Sequence, residues 1–216
     1  MCPDPVEVLE SVVSTPRFAP YLQETGDVKK AWQLYLWNIR LCESLYPAFH
    51  CCEIALRNSV HSSLAIHLSN FDWLFDVRRL DNRERELVAD VVKRLKHHGK
   101  LINSDNVICE LTLGFWSTMF SGPYEKRYWL SSGLLRAVFP KAPRSSLKIS
   151  EIHSRLNHLR EFRNRVFHHE RIWHRGDLKL VHIEQYKFSG WISSEWRAKV
   201  EEIDRFKSVM DNKPVF

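Results

Sequence analysis

Apolar side chains recur at three- and four-residue steps along most of this chain, and runs of alternating apolar residues bounded by turn pairs are nearly absent. The first spacing puts apolar groups on one stripe of a 3.6-residue helix, whereas a half-buried strand needs a two-residue period. Glycine is scarce, at 7 of 216 residues, which disfavours the turn-rich sandwiches and barrels. With 44% hydrophobic and 12% aromatic residues the chain can bury a sizeable core, as one domain or two closely packed helical subdomains. The predicted class is all-α, read as a single domain over residues 1–216, because no internal repeat or low-complexity linker divides it.

Short helices are expected over residues 1–26, where Pro16 and Pro20 break any longer one. "GDVKKAWQLYLWNIRLCESLY" follows, capped by Asp27, with Trp32, Tyr35, Leu36, Ile39, Cys42 and Tyr46 on its apolar stripe. After a break at Ser44 to Pro47, a long helix carries Phe49, Leu56, Val60, Leu64 and His67 or Leu68 inward, with Pro47 in its tolerant first turn. A third helix, capped by Asp81 or Asn82, buries Leu87, Val91 and Leu95 and stops at Gly99. Its last turn crowds basic residues and His97-His98 near the terminal carbonyls, a favourable place for positive charge, with phosphate contact as the functional alternative. "LTLGFWSTMFSGPYEKRYWLSSGLLRAVFP" is apolar nearly all round and reads as short buried helices. Ser145 or Ser146 then caps a helix through Ile152, Leu156, Leu159, Val166 and Phe167, ending near His168-His169. Over residues 176–216, Asp177 caps a further helix, with a turn at Gly190 and another amphipathic helix after it.

The net charge of +6 is compatible with a polyanionic partner. No stretch approaches the roughly 20 apolar residues of a membrane span, and "MCPDPVEVLE" lacks the basic start and apolar run of a signal peptide, so a cytoplasmic protein is expected. Cys2, Cys42, Cys51, Cys52 and Cys109 form no CxxC pair and read as reduced structural thiols. Neither a zinc site nor another metal or cofactor is implied, and no HExxH spacing is present.

One segment departs from this plain design. "REFRNRVFHHERIW", residues 160–173, packs four arginines, an asparagine, two histidines and two glutamates between apolar residues. Stepping about 100° per residue, Arg163 falls inside the stripe of Ile152, Leu156, Leu159, Val166, Phe167 and Glu170. A guanidinium there needs a buried partner or a seam with another surface. Asn164 and His168, four apart, share a neighbouring face with Glu161 and Arg171. Arg163 and His168 are five apart, about 140° on an ideal helix, so they meet only if the helix loosens, the arginine stem reaches round, or a second subunit contributes. In "EIALRNSVH", Glu53, Arg57 and His61 are spaced by four, and Glu53 is expected to pair with Arg57.

"RNRVFHHE" resembles the Arg-Asn-x-x-x-His signature of the HEPN superfamily, and more narrowly of its Abi-like (abortive-infection) branch. The likeness extends to "LYLWNIRLCESLYPAFHCCEIALRNSVHSSL", "LTLGFWSTMFSGPYEKRYW", "LNHLREFRNRVFHHERIW" and "GWISSEWRAKVEEIDRF", from about residue 30 to residue 206. It implies an all-α bundle of long antiparallel helices with short accessory helices, often dimeric, and in many members a metal-independent endoribonuclease of phage defence or toxin type.

RNA carries its own nucleophile, the 2′-hydroxyl, so cleavage needs a proton carrier near neutral pH and a cation for the phosphorane. The resemblance implies that His168 is general acid or base, Arg163 clamps the phosphate and Asn164 orients the ring or a phosphate oxygen. Supporting roles fall to His169, Glu170, Glu53, Arg57 and His61, and RNA contacts to Arg165, Arg171, Trp173 and Arg175, with Trp173 stacking a base. RNA, a second copy of the chain and an antitoxin or neutralising protein are the implied partners. The alternatives are a silent RNA- or nucleotide-binding module, and a partner-docking protein whose charged helix is a dimer seam or a helix-terminal ion-pair network.

Overall fold

In a computed structural model of the chain, residues 12–130 and 133–216 are described, and they form helices with no strand among them. The two residues left out internally, and everything before residue 12, including Cys2, lie outside this description. No helix among the described residues is long and apolar enough to cross a membrane.

Helix α1 spans Thr15–Thr25 with Pro16 in its first turn and Pro20 in its interior, so Pro20 does not break it as expected. Pro20 forfeits one early backbone bond, and the burial of Phe18 and Tyr21 beside it, against Trp32 and Tyr35, holds the turn together. Gly26, at φ 64°, closes α1 with its N–H on the Leu22 carbonyl, a left-handed turn that glycine adopts without a steric penalty. Asp27 then caps α2, Val28–Ser44, by accepting the Lys30 N–H at 2.9 Å.

The buried face of α2 is one residue out of phase with the expected stripe. Ala31, Leu34, Asn38 and Leu41 face the core, Trp32, Tyr35 and Cys42 are half-buried, and Leu36, Ile39 and Tyr46 are exposed at 52%, 51% and 54%. Both registers have helical spacing; Trp37 joins the buried face, Trp32 and Tyr35 pack toward α1, and Leu36 and Ile39 are left outward.

Helix α3, Tyr46–His67, begins one residue after α2 ends, with Pro47 in its first turn as expected. Phe49, Leu56, Val60 and Leu64 are buried, whereas His67 is exposed. Helix α4, Asn82–His97, buries Val88, Val91 and Leu95, with Leu87 39% exposed instead of inside. Asp81 makes no cap; its carboxylate takes Arg127 instead. Gly99 ends α4 in a left-handed turn, and His97 and His98 lie at that exposed end.

The aromatic segment becomes α5 (Ser104–Glu110), α6 (Leu113–Thr118) and α7 (Gly122–Tyr124), which runs into a π turn at Glu125–Trp129, then α8 (Leu134–Val138). Phe115, Trp116, Phe120, Tyr124 and Phe139 are each at most 1% exposed there. Helix α9, Ile149–Phe167, starts later than either serine allows; Ser145 and Ser146 sit in a separate 3-10 turn, Arg144–Ser146.

Helices α10 (Leu178–Ile192), α11 (Ser194–Glu201) and α12 (Phe206–Asp211) complete the order. The break falls at Ser193, whose Oγ accepts the Trp196 N–H, and not at Gly190. Gly190 stays helical, and Arg197 crosses it closely: a Cβ would stand 3.0 Å from Arg197 Cδ. Asp177 precedes α10 but makes no side-chain cap there. Helix α3 is the hub, packed most extensively on α10 and also on α6, α8 and α11, and the main apolar cluster runs from Phe18 to Phe206.

Candidate functional site

The motif helix α9 turns Ile152, Leu156, Leu159, Phe162 and Val166 inward. Phe162, not on the expected stripe, is 1% exposed, and Phe167, expected inside, is 39% exposed. The face is therefore rotated toward Phe162, and Arg163 moves from the middle of the stripe to its edge against α3.

There Arg163 finds its partner. Its Nε lies 3.6 Å from Glu53 Oε2, and its guanidinium carbon sits 4.1 Å from the centre of the Phe167 ring. The ion pair keeps 27% and 20% side-chain exposure, but Arg163 Nε itself is buried without a hydrogen bond, so the guanidinium is held by the Glu53 charge and by stacking on Phe167. Glu53 is thus taken by Arg163 and does not pair with Arg57. Arg57 donates instead to the Cys109 carbonyl at 3.4 Å and lies 3.5 Å from its thiol. His61 is further off the site: it is 7% exposed, accepts the Trp73 indole N–H at 3.2 Å, and burial holds its pKa down. It is a core histidine.

Helix α9 ends as the chain passes His168, with φ −90°. His169 takes φ 59°, and the N–H groups of His169 and Glu170 return to the carbonyls of Val166 and Arg165. This is a helix-ending motif that usually employs glycine; a left-handed histidine costs about 1 kcal/mol or more. His168 is exposed, and no hydrogen bond joins its ring to Asn164 or Arg163. The loosening of the helix end thus occurs, though the two groups remain unlinked within one chain.

The segment 168–175 is tied down from far away in sequence. Asn38, 5% exposed, accepts the backbone N–H groups of Ile172 and Trp173 at 2.8 and 3.1 Å. Arg17 of α1 donates to the His169 carbonyl at 2.7 Å. Neither residue was singled out from the sequence, although a polar residue at the Leu34, Asn38, Leu41 spacing marks a buried amide. Trp173 is 8% exposed with its ring centre 6.0 Å from Tyr21, so it belongs to the core and offers no exposed face for base stacking.

Besides a hollow against α2 that Arg17, Asn38 and His169 line, two clefts flank the segment. One, of about 310 Å³, is lined by His158, Glu161, Asn164, Arg165, Glu170 and Arg175. Here Arg175 grips Asp177 in a two-point pair, and that hydrogen bond is the main cause holding the Asp177 carboxyl below its usual range. His158 Nε2 lies 3.1 Å from the same carboxylate. The other cleft, of about 470 Å³, lies between α1 and the segment and shares Arg165 and Glu170, which pair at 2.9 Å, with the first. Asn164, Arg165, Glu170 and Arg175 are thus brought together in one cleft, and His169 and Arg171 line the other, whereas Arg163 faces α3. Among the described residues no three His, Cys, Asp or Glu side chains converge as a metal-binding group.

No curated protein and no solved structure matches the chain. Residues 13–174, from α1 to the end of the anchored segment, match the family described as Abi-like protein. That span takes in Arg17, Asn38, Glu53 and all of "REFRNRVFHHERIW", and it exceeds half of the 216 residues, so the chain belongs to the Abi-like protein family.

Proposed function

We propose that the protein is a metal-independent endoribonuclease of abortive-infection type, a HEPN-like toxin acting on RNA in the cytoplasm in phage defence. The observation that carries this reading is the setting of Arg163: held by Glu53 and Phe167 yet partly exposed, five residues before the exposed imidazole of His168.

In this reading the 2′-oxygen attacks phosphorus while an imidazole takes its proton, the bond to the 5′-oxygen breaks, and that oxygen receives a proton. The products are a 2′,3′-cyclic phosphate and a 5′-hydroxyl. Arg163 stabilises the phosphorane charge through its planar fork, and Asn164, Arg165 and Arg175 hold the strand in the adjoining cleft. Arg163 and His168 reach one phosphodiester when two chains pair, each His168 facing the partner's phosphate. An apolar rim of Ile39, Tyr46 and Phe167, exposed at 51%, 54% and 39% around the end of α9, supports such a homodimer. A neutralising partner protein covering the same end would silence it.

The test is incubation of wild type and His168→Ala with mixed cellular RNA in EDTA, followed by end-group analysis. Cyclic phosphate made only by wild type supports the reading. RNA left intact by wild type under all conditions, with salt-sensitive binding retained, converts it to a silent RNA-binding module.

A further inference from the structure

The cleft between α1 and the anchored segment has no part in the chemistry given to Arg163 and His168, and its charges are out of balance. Arg17, Arg165 and Arg171 line it, with His169 and His174, and the one carboxylate among its lining residues, Glu170, is engaged by Arg165 at 2.9 Å. Arg17 donates to a neutral partner, the His169 carbonyl, and Arg171 makes no hydrogen bond or ion pair among the described residues. Two guanidinium groups therefore line the cleft with no carboxylate paired to either among the described residues, and Glu24 of α1 acts on His174 from outside the lining. Burial, then Arg171, Arg175 and Arg165, holds the His174 pKa down, with Glu24 opposing. Pro16 and Pro20 of α1 supply an apolar wall beside these cations.

We propose that this cleft binds a phosphate monoester, the 5′-phosphate of an RNA strand or of a free nucleotide, clamped by Arg17 and Arg171. A monoester carries close to two negative charges at neutral pH, which matches the two guanidiniums without a paired carboxylate; a diester carries one. A volume of about 470 Å³ admits a nucleotide, with the proline wall against its sugar or base. Across the Arg165–Glu170 pair lies the cleft lined by Asn164, Arg165 and Arg175, into which a strand whose 5′ end sits here continues. The RNA source of this ligand rests on the nuclease reading; the phosphate site does not.

The full-length His168→Ala protein separates binding from cleavage. Calorimetry would compare adenosine 5′-monophosphate with adenosine, and a short oligoribonucleotide bearing a 5′-phosphate with its 5′-hydroxyl form. The phosphorylated member of a pair is expected to bind about tenfold tighter or more. Arg171→Ala should erase the difference and Glu170→Gln widen it. Arg171→Ala is the decisive variant, because Arg17→Ala also releases the His169 carbonyl and requires a matching melting curve. Preference confined to the oligonucleotide assigns the site to an RNA end, and preference in the mononucleotide alone assigns it to a free nucleotide; either supports the site. Equal affinity for phosphate and hydroxyl forms in both pairs overturns it. Cleavage by wild type without phosphate preference sinks this inference alone, and phosphate preference without cleavage sinks the nuclease reading alone.

Discussion

Asn38 Oδ1 accepts the backbone N–H of Ile172 at 2.8 Å across 134 positions of sequence, and its second bond, from Trp173, comes from the next peptide. One buried amide in α2 therefore satisfies two N–H groups of the segment that follows the motif helix. Asn38→Leu, close in shape but without an acceptor, leaves both unpaired. A loss of about 2–5 kcal/mol follows from the desolvation of two buried donors, read as a lower urea midpoint with unchanged slope. A loss below 1 kcal/mol would show the segment to be held by other means.

Glu53 fixes the plane of Arg163, so its removal should act on turnover more than on folding. Glu53→Gln is expected to cost about 1 kcal/mol or less in stability, since the pair is partly exposed. RNA cleavage should fall about tenfold to a hundredfold as the guanidinium loses its orientation. Arg163→Lys, which keeps the charge but loses the fork and the stacking on Phe167, should be as severe. Full cleavage by both variants would remove Arg163 from the chemistry.

His169 holds a left-handed conformation, φ 59°, at the end of α9. His169→Gly should raise stability by about 1 kcal/mol, visible as a higher melting temperature, whereas His169→Ala should not. If the glycine variant melts lower, the side chain has a structural role that its backbone conformation does not reveal.

Asp204 and Asp177 are two of the carboxylates that the fold holds below their ordinary pKa. Burial pushes the Asp204 pKa up, but hydrogen bonds from His182 and Tyr186 and from the Phe206 N–H outweigh it, leaving it below the ordinary value. Asp177 is lowered chiefly by Arg175. A depressed carboxylate contributes stability that is complete above its ordinary pKa, near 4, and is lost as pH falls through its folded pKa. Denaturant midpoints should therefore hold from about pH 7 to 5 on this account and drop below about pH 4. Asp204→Asn should flatten that drop and lower neutral stability by about 1–3 kcal/mol; an unchanged acid limb would assign it to other groups.

The thiols should differ sharply in reactivity. Burial pushes the Cys42 pKa up to about 11 and raises those of Cys51 and Cys52, while Cys109 is exposed beside Arg57. A thiol reagent applied to native protein, with labelled peptides mapped by mass, should modify Cys109 well before Cys42, Cys51 or Cys52. Comparable labelling of the other three would show the α2–α3 region to open readily.

The helices of this chain were legible because their spacing is a local property: Asp27, Pro47 and Gly99 stand where the sequence places a cap, a start and a stop. Faces were less so, since α2 is claimed from two sides and offers two helical registers, and the choice of Ala31, Leu34 and Leu41 depends on α1 and the core together. Around the site, the need of Arg163 for a partner was readable from its place among apolar residues, but the partner was not. Glu53 has Arg57 four residues on, yet Cys109 draws Arg57 away and α9 brings Arg163 in. Asn38 and Arg17 act through backbone groups more than 130 residues distant, and no local pattern carries that information.

That long reach has a consequence for synthesis. A nascent chain meets Asn38 early and Ile172 late, and Arg17 waits still longer in relative terms, 152 positions, for His169. Pairings so distant form after the loop between them has been closed, which slows assembly. A chain cut short before Ile172 lacks the peptide groups that Asn38 holds, and its motif helix is left without an anchored end.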